Sequence, residues 1–289
     1  MNLTDINEIR ALLDRHGFRF SKSLGQNFLT AAWVPEQIAD SAGIDKNTGV
    51  LEIGPGIGCL TKQLSMRAGK VVAVELDSAL KPVLKETLAD CDNVETVFGD
   101  VLKTDLKALV EEKFTGLRPV VCANLPYNVT SPVLTELITS GLFESITVMI
   151  QREVAQRICA RENTADYGAF TLLCQWYCET YKLFDVPPSC FIPQPKVTSS
   201  VIKLKKRKSP PIAVLDEEQM FKIIRAAFNQ RRKTLVNALS SAMGIDKVFV
   251  QNAVVSCGLD ERVRGEVLDI VKFAQLSDIF TKNVPENVG

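Results

Sequence analysis

Histidine is almost absent from this chain: His16 is the single one among 289 residues. One imidazole cannot build a usual zinc site, and the eight cysteines contain no C-x-x-C pair, Cys174 and Cys178 being four apart. No metal is expected. Scattered, unpaired thiols suit a reducing compartment. Net charge is missing too: Lys+Arg and Asp+Glu both total 34, so no global field draws in nucleic acid and any such footprint must be local. No apolar run reaches the ~20 residues that cross a bilayer, and the charged start, with Asp5, Glu8 and Arg10, has no apolar signal core. No membrane association is expected, and a cytoplasmic location is. There is no internal repeat, coiled-coil seam or dimerisation helix, which leaves a monomer as the expectation.

What is present is a regular alternation. Apolar runs at Val50-Ile53, Val71-Glu75, Val94-Phe98, Val120-Asn124, Ser145-Gln151, Tyr181-Val186 and Ser199-Leu204 read as strands. Between them, Thr61-Met66, Ser78-Leu88, Pro132-Ser140, Glu153-Ala160 and Ala169-Cys178 have helical patterns. This is the order of a doubly wound α/β sheet, with the proline-separated last two strands forming an antiparallel end. An amphipathic helix over Asp5-His16 and a loop with basic residues (Arg15, Arg19, Lys22) precede it. A charged, Pro-ended linker, Lys205-Lys206-Arg207-Lys208-Ser209-Pro210-Pro211, follows it. Asp216-Phe228, Arg232-Ser241, Asp246-Cys257 and Phe273-Lys282 then read as helices. The expected division is 1–208, including the N-terminal helix and loop 1–30, and a small helical domain 209–289.

Polar residues cluster at the strand ends. Glu52 opens Glu-x-Gly-x-Gly-x-Gly through Gly54, Gly56 and Gly58, where a strand turns into a helix. Glycines there let the backbone approach a ligand, and helix amides point at it. The dinucleotide spacing G-x-G-x-x-G fails at Cys59. Glu75 ends the next strand, where a carboxylate can accept both hydroxyls of a ribose. Asp100 ends the third, placed for an adenine amino group. Any one of these acids could be only a helix cap. Together with Asn124, four polar groups at the ends of successive strands mark the edge where open α/β sheets bind ligands.

Asn124-Leu125-Pro126-Tyr127 follows the fourth strand. Pro126 removes an amide donor and holds the loop extended. The Asn124 amide and the Leu125 carbonyl are then two acceptors beside one ring, which suits an exocyclic amino group on a flat base. Cys122, two residues upstream, tempts a nucleophilic reading, but on a buried strand a small core residue is the preferred one.

The glycine loop resembles motif I of S-adenosylmethionine (SAM) methyltransferases, and the tetrad resembles the acceptor motif of amino-group methyltransferases. With Leu24-Gly25-Gln26-Asn27-Phe28-Leu29, the segment from Phe191 to Val201 and Phe228-Asn229-Gln230-Arg231-Arg232-Lys233-Thr234-Leu235, nearly the whole chain is similar to the small-subunit rRNA adenine-N6 dimethyltransferases. That resemblance implies a Rossmann-like SAM-dependent methyltransferase domain with a helical, RNA-binding C-terminal one. It implies Asn27, Leu29, Gly54, Gly56, Glu75, Asp100 and Asn124 at the donor. Asn124, Leu125, Pro126 and Tyr127 would hold the base, with Phe191 either covering its other face or packing in the core. The implied substrate is 16S rRNA, free or in an immature small subunit, at two adjacent adenosines in its 3′-terminal hairpin loop. Arg231, Arg232 and Lys233 are the best phosphate candidates. Three other readings compete. They are a macrolide-resistance type 23S rRNA methylase, a mitochondrial transcription factor that only binds, and a NAD-dependent oxidoreductase.

Overall fold

The computed structural model describes residues 1–21 and 25–283, so Lys22 and Leu24 of the N-terminal loop lie outside the described residues. The chain divides into two compact units, 1–155 with 179–206, and 156–178 with 207 onward.

The first unit opens with α1 (Ile6–Arg15), capped by the Asp5 carboxylate, which accepts the Asn7 and Glu8 amides. Then come β1 (Phe28–Leu29), α2 (Trp33–Ala42), β2 (Thr48–Ile53), α3 (Cys59–Arg67), β3 (Lys70–Glu75), α4 (Lys81–Thr87) and β4 (Val94–Phe98). The chain continues through α5 (Leu106–Lys113), β5 (Arg118–Asn124), α6 (Thr130–Thr139) and β6 (Ser145–Gln151). α7 (Arg152–Ile158) carries it into the second unit, where α8 (Ala169–Tyr177) lies. β7 (Cys178–Val186), β8 (Phe191–Ile192) and β9 (Ser199–Lys206) return it.

Seven strands form one sheet in the order β4-β3-β2-β5-β6-β9-β7. The five from β4 to β6 are parallel. β2 is buried along its whole length, as a strand covered by helices on both faces must be. The register sets Ile53 beside Val74, Glu75 beside Phe98 and Asn124 beside Met149, so the carboxyl ends fall on one edge. The last two long strands form the end of the sheet, as expected. β9, antiparallel to β6, lies one in from the edge, and β7 is outermost. The burial explains the order: Val201, Ile202 and Leu204 of β9 are fully covered, while Tyr181 and Lys182 of β7 face water. β1 and β8 form a separate antiparallel pair, Leu29 beside Phe191, which periodicity could not foresee in two-residue strands.

The second unit contains α9 (Glu217–Asn229), α10 (Leu235–Met243), α11 (Lys247–Ser256) and α12 (Ile270–Asn283). Tyr167 and, from α8, Leu172 and Trp176 are buried with Met220 and Ile224 of α9 and with Phe273 and Phe280 of α12. The expected continuous body 1–208 is therefore corrected: 156–178 belongs with the C-terminal helices, because α8 is apolar nearly all round and their core covers it. The last crossing between the two units falls between Lys206 and Arg207. Two lysines of β9 are structural. Lys203 Nζ donates to the Ser41 and Ala42 carbonyls at the end of α2 (2.9 and 3.1 Å), and Lys206 Nζ to the Gly141 carbonyl (2.6 Å).

Candidate active site

One cleft in the first unit is lined by nearly all the residues singled out at the strand ends: Asn27 and Leu29, Glu52, Gly54 and Gly56, Glu75, Asp100, and Asn124 to Tyr127. The glycine loop is held open by its own backbone. Gly54 N–H donates to the Val74 carbonyl (2.9 Å) and Gly58 N–H to that of Pro55 (2.9 Å). Gly56 has φ +59°, a conformation that favours glycine, and a Cβ there would press on the Phe28 ring at 3.1 Å.

Glu75 is buried and accepts the amides of Gly56 (3.2 Å) and Asp77 (2.8 Å). Burial pushes its carboxyl above the usual carboxylate range, against those two bonds. Asp77 in turn accepts Gln26 Nε2 at 2.7 Å, while Gln26 Oε1 accepts the Ser21 amide (2.9 Å). This chain ties the N-terminal loop to the Glu75 turn. Sequence reading missed Gln26 and Asp77. Their signal, two polar residues beside two recognised motifs, has no spacing rule of its own. Asn27 Nδ2 donates to the Gly25 carbonyl at 2.9 Å. Asp100 has two positions at once, capping the short turn 101–103 through the Leu102 amide (3.0 Å) while lining the cleft.

Asn124 ends β5 beside Met149, whose carbonyl accepts the Leu125 amide at 3.1 Å. Among the described residues nothing hydrogen-bonds the Asn124 side chain or the Leu125 carbonyl, which leaves both as acceptors. The Pro126 carbonyl accepts Thr130 Oγ1 (3.0 Å), pinning the loop to the first turn of α6. The Tyr127 hydroxyl and Ser199 Oγ are 2.6 Å apart, which fixes the ring from its far end. Burial raises the Tyr127 phenol, with the Ser199 bond opposing, and keeps it neutral.

Two expectations are corrected. Phe191 is 3 % exposed, lies in the core and does not line the cleft; pairing with Leu29 turns it to packing. Arg231 is not free for phosphate. Its Nε donates to Glu266 Oε2 (2.7 Å), and its NH1 and NH2 to the Ala165 and Thr164 carbonyls (2.6 and 2.8 Å). Arg232 and Lys233 are exposed in the turn before α10. Cys122 is fully buried and burial pushes its thiol far up, which suits the core reading.

Around the cleft, Glu52, Glu75 and Asp100 are acidic, and among the described lining residues none is Lys, Arg or His. Such a wall suits a cationic ligand and opposes a pyrophosphate. Among the described residues no helix is long and apolar enough to cross a membrane, and no three His, Cys, Asp or Glu could hold a metal ion.

A family model described as ribosomal RNA adenine dimethylase matches residues 17–282. The chain is 48 % identical to the ribosomal RNA small subunit methyltransferase A of Geobacillus thermodenitrificans, over 93 % of this chain and 94 % of the relative. To that of Streptococcus gordonii it is 46 % identical, over 96 % and 98 %. Among solved structures, a dimethyladenosine transferase from Plasmodium falciparum superposes with TM-score 0.72 at 27 % identity, covering 88 % of this chain and 97 % of that one.

Proposed function

Because the chain belongs to the ribosomal RNA adenine dimethylase family, we propose that it dimethylates N6 of two adjacent adenosines in the 3′-terminal hairpin loop of 16S rRNA, with SAM as methyl donor. It acts as a cytoplasmic monomer on free rRNA or the immature small subunit. The observation that carries the reading is one cleft in which three carboxylates at strand ends stand beside the unpartnered Asn124 amide.

The residues fit the donor. SAM, when bound, supplies an electrophilic methyl group on a sulfonium. Glu75 is placed for the ribose hydroxyls and Asp100 for the adenine amino group, with Gly54 and Gly56 giving backbone clearance and Asn27 and Leu29 closing the N-terminal side. Among the described residues the cleft lining has no basic side chain, which supports a cationic donor over a nicotinamide dinucleotide, whose pyrophosphate would meet acidic groups and no positive one.

Catalysis by these residues is positioning. An adenine N6 lone pair is delocalised into the ring and is a poor nucleophile. Asn124 Oδ1 and the Leu125 carbonyl accept its two N–H bonds, which draws the nitrogen towards a tetrahedral geometry and turns the lone pair to the methyl. Pro126 offers no competing amide. Tyr127, held by Ser199, stacks on the base for about 1–3 kcal/mol. The base leaves its stack most easily from a hairpin loop. The proton departs to solvent after transfer.

The test is incubation with labelled SAM and undermethylated 16S or 23S rRNA, followed by nucleoside mapping. Dimethyladenosine in 16S rRNA alone is expected; label confined to 23S rRNA sinks the reading.

The second unit supplies the RNA contact in this proposal. Arg232→Ala with Lys233→Ala should weaken rRNA binding and lower its salt slope by about 1–2, without moving SAM affinity. Arg231→Ala should behave differently, lowering thermal stability by about 2 kcal/mol because Glu266 and two carbonyls lose their donor. Filter binding across a salt series and melting curves separate the two effects.

A further inference from the structure

Two walls of the cleft come from distant parts of the chain. One is the N-terminal stretch with Gly25, Gln26, Asn27 and Leu29; the other is the tip of β3 with Glu75. Phe28 and Leu29 of the first wall are fixed by pairing with β8. Gly25, Gln26 and Asn27 belong to no helix or strand, so side-chain bonds have to place them.

Gln26 spans the walls with both ends of its amide. Its Nε2 donates to Asp77 Oδ2 at 2.7 Å, across 51 positions of sequence, and its Oε1 accepts the Ser21 amide at 2.9 Å. Asp77 is as fully used. Its Oδ1 accepts the Ala79 amide (3.0 Å), and its own amide donates to Glu75 Oε1 (2.8 Å). Glu75 Oε2 then takes the Gly56 amide (3.2 Å). A continuous run of hydrogen bonds therefore joins the N-terminal wall, through Gln26, Asp77 and Glu75, to the glycine loop. The bond between Gln26 and Asp77 is part-buried and one partner is a carboxylate, which makes it stronger than a neutral bond at the surface.

We propose that Gln26 and Asp77 are positioning residues for the donor: their bond sets the separation of Asn27 and Leu29 from Glu75, so that one SAM molecule meets both walls at once. The inference rests on the SAM reading above. With the bond broken, the N-terminal wall has to be ordered as the donor binds, and that cost falls on affinity. It does not fall on the transfer, because the Asn124 loop is held from β6 and α6.

The experiment is calorimetry with SAM on the full chain, beside initial rates over a donor series. Gln26→Ala should raise the SAM Kd on the order of tenfold and leave kcat at saturating donor within about twofold. Gln26→Glu sets two carboxylates against each other and should weaken SAM further. Adding Asp77→Asn to it rebuilds the bond with its direction reversed and keeps acceptors for the Ser21 and Ala79 amides. The double variant should return to within about threefold of the wild-type Kd. Glu86→Ala is the control for general loosening. It removes the bonds from Arg15 (2.5 Å) and His16 (2.7 Å) that pin the end of α1 to α4, and should lower the melting temperature without moving the SAM Kd. An unmoved Kd in Gln26→Ala, a double variant no tighter than Gln26→Glu, or an equal loss in Glu86→Ala overturns the positioning role alone. Failure of wild-type protein to bind SAM overturns the donor reading and this inference with it. Should Gln26→Glu fold poorly, Gln26→Ala and the double variant still decide.

Discussion

Asn124→Ala is expected to lower the single-turnover methylation rate by about 10²–10³-fold while leaving SAM affinity within a few-fold. The substitution removes one of two acceptors for the amino group and nothing that supports the fold. Among the described residues the Asn124 side chain bonds to no other group, and the strand register beside Met149 is set by backbone. The Leu125 carbonyl remains, but in the first transfer, where the amino group carries two N–H bonds, one acceptor holds the nitrogen less firmly than two. Asn124→Asp keeps an oxygen in place and should recover part of the rate. Single-turnover kinetics beside calorimetry with SAM checks both variants. A loss confined to SAM affinity, with the rate at saturation intact, contradicts the acceptor role.

Glu75→Ala should fail in the opposite way, with a SAM Kd raised about 100-fold, or roughly 3 kcal/mol, and kcat at saturating donor nearly unchanged. Two losses combine. The acceptor for the ribose goes, and so does the group that holds the Gly56 and Asp77 amides. The glycine loop then loses its side-chain tie to β3, keeping the Gly54 bond to the Val74 carbonyl, and Asp77 becomes a weaker anchor for Gln26. Calorimetry and initial rates over a donor series separate affinity from turnover. A collapse of kcat with Kd unmoved excludes Glu75 from donor binding.

The strands of the parallel half were legible because fully covered strands must be apolar, and a polar residue ending such a run stands out. Glu75, Asp100 and Asn124 were found that way, and they line one cleft. What stayed hidden depends on partners far away in sequence. Nothing local in α8 says which core will cover Leu172 and Trp176, so its membership in the second unit was unreadable. Arg231 looks like its neighbours Arg232 and Lys233 until Glu266 and the Thr164 and Ala165 carbonyls are in place. Phe191 beside prolines fits a stacking face as well as a core, and only the short pairing of β1 with β8 decides between them.

The path of the chain through α8 also sets how this protein can be taken apart or recombined. A fragment ending at 208 keeps residues 156–178 but loses α9 and α12, baring Tyr167, Leu172 and Trp176. Exchange of the helical unit with a relative therefore has to carry two separate stretches, 156–178 and everything from Arg207, rather than one C-terminal tail. Substitutions in the two stretches share one core, so they are inherited as a set: a larger residue in α8 calls for a smaller one some fifty residues later.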